Sequence, residues 1–433
     1  MKKIFITAAL VACTVGLFAQ DVNKLIDAND VDRIIKTLTA DDMQGRATFT
    51  PGIEKAAQFI ESEYKKAGLQ PLPGNKDFRQ NFAMTRITPS KVQLTLNGTN
   101  VAGDHVLAYT SSAVNWNNNS DVKIVKIGAD QNIQTEFRTI RRSNQKTIVL
   151  IDPHFESWFN LVRGQLSKGM TTLKPTEGPQ PVIFALGNFD NVTSFQASVE
   201  VETKQLPLFN IAGMIKGKTK PDEYVIFSGH YDHLGIIKPM EGDSIANGAD
   251  DDASGTTAVI TLAKYFKKLN NNARSIIFVA FTAEEIGEYG SAYFATQVDP
   301  AKVSAMFNIE MIGKASKFGE NSAFITGYER SDFGKILQKN LEGTAFKFYP
   351  DPYTEQNLFY RSDNASLAKV GVPAHTISTD QIDIDKYYHT VKDEYSTLDV
   401  KNIVATIRAI ALSCKTIVAG TDTPTRIPPL EQR

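Results

Sequence analysis

Cysteine is nearly missing from this chain: 433 residues hold two, Cys13 and Cys414. So few thiols exclude a disulfide framework, and stability must come from a buried core. Cys414 lies in the apolar pattern VATIRAIALSCKTIVAG, which marks it as core and not as a reactive nucleophile. Neither sign of charge prevails, with 47 Lys and Arg against 48 Asp and Glu. With no basic run either, the electrostatic footprint of a nucleic-acid binder is absent. The long, largely apolar stretch Ile4–Ala19 stands behind Lys2 and Lys3. That pattern reads as a secretory signal peptide over 1–20, too short for a stable membrane span, and predicts a periplasmic or secreted product. The string LVAC at 10–13 also resembles a bacterial lipid-attachment box at Cys13, although the apolar run continues through Leu17 and Phe18.

What is present divides into segments. Over 21–95 a helical spacing recurs, as in GIEKAAQFIESEYKKAGL, where Ala56, Phe59, Ile60 and Tyr64 share a face and Gly68 is the stop. Over 96–205 short alternating stretches such as KVQLTLNG, VKIVKIG, KTIVLID and PVIFAL predict a smaller, mostly β inserted domain. Over 206–420 continuous apolar runs alternate with helical patterns, one of them ASGTTAVITLAKYFKKL with Ser254 as its expected N-cap. This predicts an α/β domain whose mixed, mostly parallel central sheet carries helices on both faces. Residues 421–433 form a tail.

Ligands of open α/β sheets gather at the carboxyl ends of strands. Here those ends carry His230 and Asp232 after EYVIFSG, Glu284 and Glu285 after SIIFVAFTA, and Glu310 after SAMFNI. A late loop adds Tyr388 and His389, and the turn NGADDDASG sets Asp250, Asp251 and Asp252 side by side just ahead of an apolar helix. Three adjacent carboxylates repel, and none of their sequence neighbours is basic. A solvated acidic turn would account for them in isolation. Five segments delivering imidazole or carboxylate to one rim favour a metal site, because zinc takes both donor types and a metal pair needs a bridging carboxylate.

The strings GHYDHLG, GADDDASG, FTAEEIGEYGS, NIEMIG and YYHT resemble the successive motifs of the M28 zinc metallopeptidases, a family of co-catalytic aminopeptidases and related enzymes. The resemblance covers about 206–420. It implies two zinc ions per chain, one held by His230 and Glu310, the other by Glu285 and His389, with Asp251 bridging. It also implies a cis peptide at Asp251–Asp252, Glu284 as general base, Tyr388 as a donor to the oxyanion, and Asp232 orienting His230 as a second-shell carboxylate. The insert occupies the position of a protease-associated (PA) domain. Two departures stand out: Glu310, where many members have Asp, and Asn364 in RSDNASLAKVGVPA, where the family segment commonly reads Ser-Asp-His. Phe359, Tyr360 and Arg361 just before that segment are expected to line a specificity pocket, and His233 the cleft.

The implied function is an exported zinc exopeptidase acting on the N-terminal residues of peptide substrates. On the same scaffold the alternatives are a glutaminyl cyclase and a non-catalytic binding or receptor-like relative.

Overall fold

A computed structural model describes residues 22–174 and 178–429. The signal peptide expected at 1–20 and the lipid-attachment cysteine Cys13 lie outside the described residues. The chain divides into two compact units, one formed by residues up to Phe82 together with those from Leu208 onward, the other by Ala83–Pro207.

In the first unit, helix α1 (Ala28–Leu38) is capped by the Asp27 side chain and buries Val31, Ile34, Ile35 and Leu38, the spacing of one helical face. Helix α2 (Pro51–Ala67) starts on proline and stops at Gly68, whose φ of 78° is left-handed. Strands β1 (Phe195–Ile215) and β2 (Lys220–His230), helix α3 (Gly255–Leu269), strands β3 (Arg274–Phe281), β4 (Val303–Ile309), β5 (Ser322–Ile325), β6 (Lys347–Pro350) and β7 (Ala374–Ser378), and helix α4 (Val400–Ser413) follow. The sheet path is β6-β5-β7-β4-β2-β3-β1. The pairs β6/β5, β7/β4, β4/β2 and β2/β3 are parallel, while β5/β7 and β3/β1 are antiparallel. The class is thus α/β with a mixed, mostly parallel sheet.

Every residue of β3, β4 and β7 is buried. Alternation explains why these runs are continuously apolar: Ile276, Phe278 and Ala280 enter one core cluster and Ile277, Val279 and Phe281 the other. With a core on each face, a strand has no solvated side to mark with polar residues. Phe227 of β2 stacks on Phe266, Phe278 and Phe307 at 5.5, 5.6 and 4.9 Å between ring centroids. Phe227→Ala should therefore cost about 3–5 kcal/mol of stability in urea denaturation, the range for deleting a buried aromatic side chain; a loss within about 1 kcal/mol would mean that the site collapses around the void.

The second unit has a four-stranded sheet in the order Val106–Tyr109, Val182–Leu186, Thr147–Ile151, Lys123–Ile127. Its first pair is antiparallel and the other two are parallel. Helices Ile133–Arg142 and Glu156–Leu166 bury Ile133, Ile140, Phe159 and Val162. The unit spans 83–207 against the expected 96–205. Both of its limits fall inside continuous strands, Arg79–Leu96 and Phe195–Ile215, so no composition shift marks them. Among the described residues no helix is long and apolar enough to cross a membrane.

Candidate metal centre

The parallel strands deliver their acids and imidazoles to one edge. His230 ends β2, Glu310 follows β4 directly, and Glu284 and Glu285 lie just past β3. Asp250–Asp252 sit in the turn before α3, and Tyr388 and His389 in the loop between β7 and α4. Ala283, Met311 and His389 take φ of 58°, 51° and 58°, a left-handed region that residues with side chains seldom adopt. Gly248 (φ 56°) is required by its neighbours, since a Cβ there would lie 2.3 Å from the Asp251 carbonyl.

The acidic turn is not solvated: Asp250, Asp251 and Asp252 are all buried. Asp251 Oδ1 lies 3.1 Å from His230 Nε2, and Oδ2 lies 3.2 Å from His389 Nε2. His389 Nε2 is also 3.1 Å from Glu285 Oε2. On the other side of Asp251, donor atoms of His230, Glu284 and Glu310 all fall within 4.8 Å of one another, as do those of His230, Asp251 and Glu285. The peptide Asp251–Asp252 is cis. The residues present fit zinc: imidazole nitrogens and carboxylate oxygens converge, and His230 Nε2 is buried yet makes no hydrogen bond. A buried concentration of carboxylates is costly unless positive charge compensates it.

The flanking aspartates do different work. Asp252 accepts the backbone N–H of His230 (3.1 Å), Gly255 (3.0 Å) and Met311 (3.1 Å), tying the ends of β2 and β4 to the start of α3. It also displaces Ser254 from the expected capping role. Ser254 makes no side-chain cap; its hydroxyl donates to the Asp250 carbonyl and accepts from Ile312 N. Asp250 accepts from Gly313 N at 2.7 Å and pairs with Lys314 Nζ at 3.3 Å, a cation that is distant in sequence. Asp232 meets His230 through a different atom than expected. His230 Nδ1 is 3.1 Å from the Asp232 backbone carbonyl and 3.9 Å from its carboxylate. The carboxylate instead accepts the amides of Glu284 (3.1 Å) and Glu285 (3.3 Å), fixing the turn that aims both side chains.

Glu284 Oε2 stands 3.9 Å from His230 Nε2. Burial raises its pKa well above the usual carboxylate range, and Glu310, Asp363 and Glu285 add to that push against His230. Burial likewise lifts Glu310 to about 7. Burial alone would lower His389, but its bonds to Asp251 and Glu285 outweigh that and raise it to about 10. Carboxylates that resist ionising and an imidazole that holds its proton are what a site rich in negative charge imposes, and a bound dication reverses both tendencies. The longer side chain at 310 is held by hydrogen bonds from Ser362 Oγ and Asn308 Nδ2.

Tyr388 stacks on the His389 ring, 3.9 Å between centroids. With Glu310 it borders a cleft also lined by Met311, Phe324, Leu358 and Arg361. Of the three residues expected in a specificity pocket, only Arg361 lines this cleft; Phe359 is buried against His375. His233 is buried and does not line an open cleft; its Nδ1 is 2.6 Å from Glu285 Oε1. Asn364 faces the core, donating to the Phe359 and Ala374 carbonyls and accepting from Thr376 Oγ1. Sequence reasoning passed over Arg46, Asp393 and Ser362. The last two lie four residues after His389 and two before Asn364, so proximity to the motifs was the available signal. Arg46 lies far upstream of those motifs, in the stretch GRATFTPG, where its neighbours' residue types gave no signal.

Residues 210–413 match the family model described as Peptidase family M28. A probable zinc metalloprotease of Pyricularia oryzae is 36% identical over 109 residues, covering 25% of this chain and 21% of its own. Leucine aminopeptidase 1 of Penicillium rubens is 27% identical over 279 residues, covering 60% and 68% respectively. The chain spans only 21% to 29% of the length of the zinc metalloproteases it first matches. Among solved structures, an aminopeptidase from Aneurinibacillus superposes with a TM-score of 0.54 at 18% identity, over 96% of this chain and 98% of that one. Glutaminyl cyclase of Porphyromonas gingivalis does so with 0.51 at 12%, over 91% and 99%. At such identities the likeness is one of fold, and two reaction classes share it.

Proposed function

We propose that this chain is a zinc-dependent exopeptidase that hydrolyses N-terminal residues from peptides, a reading supported by the match of residues 210–413 to the model of peptidase family M28. One observation carries the reading: Asp251 presents one carboxylate oxygen to His230 and the other to His389, which itself contacts Glu285. We assign one zinc to His230, Glu310 and Asp251 and a second to Glu285, His389 and Asp251. When bound, the zinc pair would polarise the scissile carbonyl and acidify the attacking water.

The chain's own residues supply the rest. Glu284, whose carboxylate stands 3.9 Å from His230 Nε2, takes the water's proton and hands it to the leaving amine. Asp232, through the amides of Glu284 and Glu285, keeps that base and the neighbouring ligand in fixed relation. Tyr388, which lines the same cleft as Glu310, would donate its hydroxyl to the developing oxyanion. The apolar signal over 1–20 supports export to the periplasm or beyond, and the position of the 83–207 unit supports a protease-associated role for it.

The test is mass spectrometry of a peptide pool that includes Gln-initiated members, incubated with and without a zinc chelator. The expected result is chelator-sensitive loss of whole residues from the N-terminus. Loss of ammonia from the Gln peptides alone would establish the cyclase reaction in its place.

A further inference from the structure

The turn that presents Asp251 is gripped by two buried groups of opposite charge. Arg46, fully buried in the segment Asp41–Arg46 between α1 and α2, spends its guanidinium on backbone carbonyls. It donates to Asn247 (2.5 Å) and Gly248 (2.9 Å) on the turn, to Tyr231 (2.9 Å) between His230 and Asp232, and to Leu38 (2.7 Å) at the end of α1. Its own carbonyl accepts from His233 N at 3.2 Å. One side chain thereby joins the loop that carries His230 to the turn that carries Asp251.

Asp393 grips the opposite polarity of the same turn. Its carboxylate accepts the amides of Asp250 (3.0 and 3.1 Å) and Asp251 (3.1 Å), and its backbone carbonyl accepts from Ala249 N at 3.0 Å. Being four residues beyond His389, it joins the turn to the loop that carries that ligand. Carbonyls meet the cation and amides meet the anion, so both polarities of the turn's backbone are held by buried side chains. Burying a guanidinium is expensive, and here its donors go to the backbone of ligand-bearing segments.

We propose that Arg46 and Asp393 are positioning residues with divided roles. Arg46 sets the separation of Asp251 from His230 and so tunes the His230–Glu310 site. Asp393 sets the separation from His389 and so tunes the Glu285–His389 site. The proposal rests on the two-site assignment above, and its test is built to separate the two.

Zinc affinity is measured by competition with a chromophoric chelator in two single-site backgrounds, His389→Ala and His230→Ala, with the thermal midpoint of each metal-free protein recorded alongside. Lysine keeps the charge of Arg46 but not the planar fork that reaches several carbonyls. In the His389→Ala background Arg46→Lys should weaken zinc binding about 10-fold or more, the scale of outer-shell effects on metal affinity, and Asp393→Asn should change it by no more than about 2-fold. In the His230→Ala background the order should reverse. A merely structural role would lower the metal-free midpoint and affect both backgrounds alike, and equal weakening in the two would overturn the proposal. If Arg46→Lys fails to fold, Asp393→Asn decides alone, since it must weaken zinc selectively where His389 is kept. Backgrounds that still bind two zinc ions would overturn the ligand assignment itself.

Discussion

Glu284→Gln is expected to lower kcat by about 10²–10⁴-fold, the usual worth of a positioned general base, while zinc content stays at the wild-type level. The substitution preserves volume and leaves the backbone N–H that Asp232 accepts at 3.1 Å, so the turn and Glu285 keep their places. What it removes is the ability to take a proton. Glu284 and Glu310 both stand beside His230, Glu284 Oε2 at 3.9 Å from its Nε2, so zinc content and turnover together decide which of the two carboxylates is the base and which the ligand. Steady-state kinetics on an N-terminally unblocked peptide, with metal analysis of the same sample, checks both halves. Wild-type turnover would remove Glu284 as the base; lost turnover together with lost zinc would make it a ligand.

The parts of this molecule that were legible in the sequence are those in which side-chain type and position carry the message. Continuous apolar runs predicted covered strands because each face of the sheet has its own core, as Phe227 and Ile226 of β2 show by entering different clusters. His230, Glu285 and Glu310 at strand ends and His389 in a late loop stood out because several segments offer imidazole or carboxylate together. Residues that act through the backbone stayed hidden. Arg46 and Asp393 bond peptide groups whose own residue types, Tyr231, Asn247 and Gly248 among them, say nothing about the need for a partner. Ser254 was misread as the cap of α3 for a related reason: its own backbone is already helical, and the buried carboxylate two residues earlier, Asp252, takes the first amide of the helix, Gly255 N, at 3.0 Å. The helices of the second unit were missed because Ile133–Arg142 buries only two of its ten residues, too sparse a stripe to stand out.

Asp251→Asn should strip zinc from both sites at once, with a loss of affinity exceeding the about 10–100-fold that outer-shell changes cost. An aspartate can bridge because its two oxygens are equivalent anionic donors, and here one faces His230 and the other His389. Asparagine of the same shape offers one neutral oxygen and an NH₂ group that cannot ligate, so at least one site loses its shared donor. The other loses it too in any rotamer, because the remaining oxygen carries no charge to hold two dications close together. The backbone gives no relief, since Asp393 fixes the amide of residue 251 whatever its side chain. Zinc per chain after dialysis against a weak chelator is the readout. A value near zero matches a bridge. Retention of one ion would assign Asp251 to a single site, and retention of two would exclude it as a ligand of either.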